Sequence, residues 1–310
     1  MEFIEVVGEQ VTPFPPPPEP NCQSVFASET MERLAAALPI ALLWAGQALA
    51  QSAAPLGDTD LSKETENPVS RQSTLPLRYE ADFRDGVDKL TKSTFEIEQA
   101  VVPFRLNEDW SLITRTKLPA EALPPKKAGD SWTDGLSNGY TTFFLSPEHG
   151  REFYWGVGPV LYYPATNSTL GATKWGSGPA VAFLHKDSGP LVLGIVANNI
   201  WTFGSASGGN ATNQMLLNPF FSYHFADGWA LISSPEITAN WLAGGNKWTV
   251  PVGGGLSKLV RLGELPVKLE VAAYYNALRP IAGQEPWQFQ ATVNFILAPQ
   301  PAAPVLRQRP

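Results

Sequence analysis

The chain has 310 residues, of which 16% are charged, with ten tryptophans, a mean hydropathy of −0.10 and a formal net charge of −7. This composition contains no apolar run long enough for a membrane-spanning helix, and nothing in it calls for a nucleic-acid partner. The single cysteine, Cys22, excludes a disulfide framework and a cysteine-based metal site.

Residues 1–30 carry the Pro15–Pro18 run, have no packing logic, and read as an upstream extension. Met31 opens a different pattern: Glu32-Arg33, an apolar stretch from Leu34 to Trp44, then Ala48-Leu49-Ala50 before Gln51. That stretch is too short to span a bilayer and ends in small-x-small spacing, so residues 31–50 are expected to be a secretory signal cleaved after Ala50. An uncleaved anchor or a core helix is the alternative. Residues 1–50 hold one of the 22 basic and six of the 29 acidic residues, which leaves 21 against 23 and a net charge of −2 for the remainder. Residues 51–73 are polar and lack strand periodicity; Asp58 is placed to cap a short helix that Asn67-Pro68 stops. They form either a flexible periplasmic lead-in or a plug tucked into a barrel mouth.

From residue 74 to 298 the pattern changes to a period of two. Phe153, Trp155, Val157, Leu161 and Tyr163 share one parity while Tyr154, Gly156, Gly158 and Tyr162 occupy the other, and Trp155-Gly-Val-Gly-Pro159 returns as Trp175-Gly-Ser-Gly-Pro179. A soluble sandwich would carry charges opposite its apolar face, whereas here that face is glycine, alanine and tyrosine. A closed barrel in lipid fits better. About twelve such segments follow one another, with short connections alternating with long ones, as in a barrel with periplasmic turns, outer loops and both termini in the periplasm. The expected fold is therefore all-β, a single closed antiparallel transmembrane barrel in the bacterial outer membrane, followed by a proline-rich tail over 299–310. Pro103, Pro159, Pro179, Pro219, Pro235 and Pro251 fall inside proposed strands, where each removes a ladder donor, so bulges or breaks are expected near some of them.

Several strings together, Leu106-Asn-Glu-Asp-Trp-Ser-Leu-Ile-Thr-Arg-Thr116, the two Trp-Gly-x-Gly-Pro units, Asn198-Asn-Ile-Trp201, Ile237-Thr-Ala-Asn-Trp241, Lys247-Trp-Thr-Val-Pro251 and Ala273-Tyr-Tyr-Asn276 with Arg279-Pro280, resemble a bacterial family. It is the family of outer-membrane transporters linked to phenol and other aromatic meta-cleavage pathways, sometimes misnamed neuromedin U. The resemblance covers roughly residues 67–297. It implies an outer-membrane barrel passing small molecules, aromatic ones among them, and supplies no catalytic residue.

Inward parity collects Arg78, Glu80, Asp82, Glu96, Glu98, Arg115, Lys117, Glu236, Lys268 and Glu270, with Asn240, Asn276, Gln288, Gln290 and Asn294. These are costly in lipid and natural facing water or one another. The transport path is assigned to Arg78, Glu80, Glu96, Glu98, Arg115, Lys117, Glu236, Lys268 and Glu270, with Tyr154, Tyr162, Phe220 and Tyr274 as lumen aromatics. Filling and stiffening the lumen is the competing role for the same side chains. If the second hairpin pairs Phe104 with Asp109, Glu98 faces Arg115 and Glu96 faces Lys117 across a wet wall.

No motif sets a serine or a metal partner beside His149, His185 or His224, and the glycine strings lack the helix and Lys-Ser/Thr pair of a phosphate loop. We expect no enzyme activity, metal or cofactor. The expected partners are outer-membrane lipid and a small-molecule solute. A channel is the first reading, a nonconducting structural or adhesive barrel the second, and a lipid-modifying enzyme the third.

Overall fold

The computed structural model describes residues 57–83, 90–127, 129–150, 152–203, 211–280 and 286–297. The extension, the signal, the first part of the lead-in and the proline-rich tail lie outside these residues. The strands are β1 (Thr74–Phe83), β2 (Lys92–Arg105), β3 (Trp110–Leu123), β4 (Thr133–Leu136), β5 (Tyr140–Pro147), β6 (Phe153–Tyr162), β7 (Gly176–Lys186), β8 (Leu191–Thr202), β9 (Asn213–His224), β10 (Trp229–Ser233), β11 (Ile237–Asn240), β12 (Trp248–Leu262), β13 (Leu265–Leu278) and β14 (Trp287–Ile296). All pairings are antiparallel, and β1 pairs β14 from Thr74↔Ile296 to Phe83↔Trp287, which closes the sheet. Closure leaves no edge for another chain to extend. β4 only folds back onto the end of β3, and β10 and β11 are two halves of one wall strand, so twelve strands form the wall among the described residues.

The alternation in the sequence becomes a sorting of side chains. Phe153, Trp155, Val157, Val181 and Phe183 point out and are exposed, while Val160, Tyr162, Ala180 and Ala182 point in and are buried. Lipid demands this at every outward position, because an outward polar group would find no partner there. Aromatic rings gather at both rims: Trp110 lies edge-on to Trp155 at the short-turn end, and Tyr163–Trp175 and Trp241–Trp248 pair at the long-loop end.

The prolines are accommodated in two ways. Pro159 and Pro179 stand directly opposite each other, and the β6–β7 ladder runs unbroken through them. The ladders on their outer sides, to β5 and β8, skip those positions and resume in the same register. The glycine before each proline is forced, since a Cβ on Gly158 would lie 1.8 Å from the Phe143 carbonyl oxygen and one on Gly178 1.7 Å from that of Asn199. The repeated Trp-Gly-x-Gly-Pro string is thus a packing device.

The second way is a gap. β10 and β11 keep one register with β9, from Ser233↔Phe221 to Ile237↔Leu217, and one register with β12, from Ile232↔Gly255 to Thr238↔Thr249. Ser234, Pro235 and Glu236 between them pair with neither neighbour. Continuing the two registers sets Pro235 opposite Pro219 and Glu236 opposite Pro251, so three prolines on three adjacent strands fall at one level. The proposed single strand over 228–240 is therefore interrupted.

Two further expectations need correction. β3 continues to Leu123, so part of the connection from Pro119 to Ser137 is strand. The β2–β3 register also differs: Phe104 pairs with Leu112, Val101 with Arg115 and Glu96 with Pro119. The turn is longer because the Asn107 side-chain oxygen accepts from the backbone N–H groups of Asp109 and Trp110. A bulge at Gln99, whose φ is +55°, then shifts the ladder between Ile97 and Ala100. Beyond the bulge the parity reverses, and Phe104 faces out.

Candidate functional site

The barrel interior is layered, and each layer is set by a different part of the chain. At the short-turn end the helix α1 (Asp58–Glu64) and the segment to Ser73 occupy the mouth. Asp58 and Asp60 lie in the first turn of α1 and Lys63 in its last, which suits the helix dipole. Asp58 does not cap the helix; Gly57 is the N-cap, and the Asp58 carboxylate accepts from Arg261 on β12 at 2.6 Å. Lys63 Nζ donates to the Gly189 carbonyl at 2.6 Å in the β7–β8 turn, Glu64 pairs with Lys186 at the end of β7, and Glu66 pairs with Lys268 on β13. The segment is thereby tied to opposite sides of the wall. Leu61 packs with Leu259 and Ile296, and Val69 joins the main apolar cluster with Ile113, Phe144 and Leu184. Lys268 is 1% exposed and also holds Glu270 at 2.8 Å. Burial raises the Glu66 carboxyl above its ordinary value, against the opposing pull of Lys268.

The middle layer is a charged network. Lys117 on β3 donates to both oxygens of Glu236 at 2.9 and 3.0 Å and lies 3.1 Å from Glu98 and 3.5 Å from Glu96. Arg78 on β1 reaches Glu98 at 3.5 Å and Glu96 at 3.7 Å, and its Nε donates to Thr292. β3 and the β10–β11 strand are six positions apart in either direction around a ring of twelve. The Lys117–Glu236 pair therefore spans the barrel from wall to wall. Glu236 lies in the segment that pairs with neither neighbouring strand. Glu80 accepts from Gln290 at 2.7 Å on a separate part of the wall.

The expected pairing of Glu98 with Arg115 is not present. The longer turn sets Arg115 opposite Val101, Thr142 on β5 faces it from the other side, and its Nε is buried with no hydrogen-bond partner among the described residues. Lys117 does meet Glu96, diagonally across the bulge rather than opposite it.

The gap in the wall is held by side chains. Asn218 Nδ2 donates to Ser234 Oγ and to the Pro235 carbonyl, both at 3.0 Å, and the Ser234 N–H donates to the Tyr274 hydroxyl at 3.0 Å. These bonds replace the missing ladder. A cavity of about 330 Å³ opens here, bounded by Leu193, Gly194, Pro219, Phe220, Phe221 and Pro235. Leu193 and Phe221 face lipid while Phe220 faces the lumen, so the cavity reaches from the outer face into the wall. The Phe220 ring lies over Gly194, where a Cβ would be 2.2 Å from its tip.

The four aromatics do not form one site. Tyr154 packs on the apolar cluster beneath Lys186, whose Nζ is 5.1 Å from the ring centroid. Tyr162 sits at the loop end near Thr212, Phe220 at the gap, and Tyr274 latches the gap from within. Sequence reasoning missed Asn218 and Ser234, although each immediately precedes a proline inside a strand. It also missed Ser222, whose Oγ is 2.8 Å from His224 Nε2, a pair at the two-residue spacing that puts strand residues on one face. Both are buried, and His224 Nδ1 has no hydrogen-bond partner among the described residues, so no third group orients the imidazole as a triad requires.

No protein-family model matches the chain, and no curated protein is similar to it in sequence. Among solved structures, an outer membrane channel from Pseudomonas putida F1 is similar with a TM-score of 0.54 and 14% identity, over 73% of this chain and 94% of that one. The NanC porin matches with a TM-score of 0.45 and 8% identity, over 73% and 98% of the two chains. Outer membrane phospholipase A from Escherichia coli matches with a TM-score of 0.43 and 13% identity, over 73% and 90%. With its apolar outer face, its aromatic rims and its closed ring of twelve antiparallel strands, the chain is an outer-membrane β-barrel with the fold of a bacterial outer-membrane channel.

Proposed function

We propose that the protein is an outer-membrane channel for small molecules of apolar or aromatic character, admitted through the side of the barrel. The observation that carries this reading is the ladder gap at Ser234–Glu236. A strand whose hydrogen bonds are missing on both sides, opposite Pro219 and Pro251, is a weak place in an otherwise closed wall, and the cavity beside it has an apolar lining. Straight axial flow meets the tethered segment at one end and the Lys117–Glu236 pair in the middle. A solute already dissolved in the lipid meets neither before it reaches Phe220. The resemblance to transporters linked to aromatic degradation agrees with this solute class.

Cells producing the protein should take up the hydrophobic dye 1-N-phenylnaphthylamine faster than cells producing an unrelated barrel of similar size. Equal rates would contradict the proposal. The tethered segment also supports a second reading, a barrel that conducts nothing and serves structure or adhesion; that reading requires both equal dye uptake and silent planar bilayers.

A further inference from the structure

Just inside the gap lies a second cavity of about 110 Å³, bounded by Glu66 and Asn67 of the plug segment, by Arg78, Glu98 and Arg115, and by Phe220. Phe220, Phe221 and Ser233 border both cavities, so the side window and the lumen cavity adjoin. The size is of the order of the ~150 Å³ space that holds benzene in an engineered protein interior.

The charges around this cavity are unequal in one respect. Glu66 and Glu270 are held by Lys268, Glu98 by Lys117 and Arg78, and Arg78 by Glu96 and Glu98. Among the described residues that border the cavity, Arg115 is the one charged side chain without an ion pair. Its Nε is buried and has no hydrogen-bond partner among the described residues, and the neighbours facing it across the sheet are Val101 and Thr142. A half-buried, always-charged guanidinium whose Nε is buried without a partner is a ready site for a planar, bidentate acceptor. Val101 beside Arg115, together with Pro76 and Phe220, adds apolar lining to the cavity.

We infer that this cavity binds the carboxylate of a small aromatic or aliphatic acid, with Arg115 receiving the carboxylate and the Phe220 side receiving the apolar body. The inference rests on the channel reading and refines its solute class from apolar molecules in general to those bearing one acid group. Glu98 next to the site disfavours a second negative charge, which sets a monoacid above a diacid.

The test uses the full protein folded in detergent micelles, titrated calorimetrically with benzoate and with benzyl alcohol, its neutral counterpart. The wild type should bind benzoate about tenfold to a hundredfold more tightly than benzyl alcohol, the range of one charge-assisted hydrogen-bonded contact. Arg115→Gln should abolish that preference and leave benzyl alcohol binding unchanged. Equal binding of the two probes by the wild type, or a preference that survives Arg115→Gln, overturns the inference. Should Arg115→Gln fail to fold, the wild-type comparison together with Arg115→Lys decides, since lysine keeps the charge but loses the bidentate fork and should retain only part of the preference. Dye uptake by cells is measured in parallel. Normal uptake without benzoate preference sinks this inference alone, whereas absent uptake with intact preference sinks the channel reading.

Discussion

Replacing Lys117 with methionine is the most informative single change in the lumen. Lys117 lies within 3.5 Å of Glu96, Glu98 and Glu236, and its removal leaves Arg78 as the ion-pair partner of Glu96 and Glu98 and leaves Glu236 with no other ion pair among the described residues. Glu96 and Glu98 are 3% and 6% exposed, so water cannot readily solvate the stranded charges. Breaking a buried pair in this way costs about 3–5 kcal/mol, while a solvent-facing pair is worth only about 0.2–1 kcal/mol. The 13% and 24% side-chain exposure of Lys117 and Glu236 places the expected loss near 3 kcal/mol, at the lower end of the buried range. The double variant Lys117→Met with Glu236→Gln should recover part of it, because one of the three carboxylates is then neutral. Urea unfolding in lipid vesicles, followed by tryptophan fluorescence, measures both. A loss below about 1 kcal/mol for Lys117→Met would show that the middle of the lumen is wet and that the reasoning from burial is wrong.

Three further outcomes are expected. Gly158→Ala and Gly178→Ala drive a Cβ into the carbonyl of Phe143 or Asn199, whose strands are held on their other side by the β3–β5 and β8–β9 ladders, so each should lower stability by about 1–3 kcal/mol or more in the same vesicle assay. Asn218→Ala removes two of the bonds that hold the gap, and dye uptake should rise with little change in barrel stability, since the ladders on either side are intact. Burial raises the Glu66 carboxyl, so protonation favours the docked plug segment: this contribution is fully present below the unfolded value of about 4.3 and is lost as pH rises through the raised folded value. Hydrogen exchange of residues 57–73 should therefore quicken as pH increases, after correction for the intrinsic rate, and Glu66→Gln should flatten that dependence.

Twelve strands and their facing were legible because lipid tests every outward position separately. In Trp287–Ile296 one misplaced parity would put Gln288, Gln290 and Asn294 in hydrocarbon, so the alternation there is nearly free of noise. Which charges meet was not legible. The turn held by the Asn107 side chain is longer than the shortest link and by itself moves Arg115 from Glu98 to Val101, and Gln99, left-handed without a glycine signature, then returns Glu96 and Glu98 to the inward face. The alignment of Pro219, Pro235 and Pro251 depends on the registers of three strands, which no one stretch of sequence reports. Glu66 and Lys268 are 202 residues apart, and only the closed ring brings them together. The inward set was therefore readable as a set, whereas the bulge, the gap and the tethers, which decide what the lumen does, arise from contacts between distant strands.

The side window is the centre of this account, and restoring its ladder tests it most directly. Pro219→Val with Pro235→Val returns a backbone donor to each of two facing positions and replaces proline with a good strand former. Barrel folding is checked by heat-modifiable mobility on gels, and uptake of 1-N-phenylnaphthylamine is measured in cells producing equal amounts of each protein. Uptake by the double variant should fall to the rate of cells producing an unrelated barrel. Uptake equal to that of the wild type in a correctly folded double variant would contradict entry through the wall.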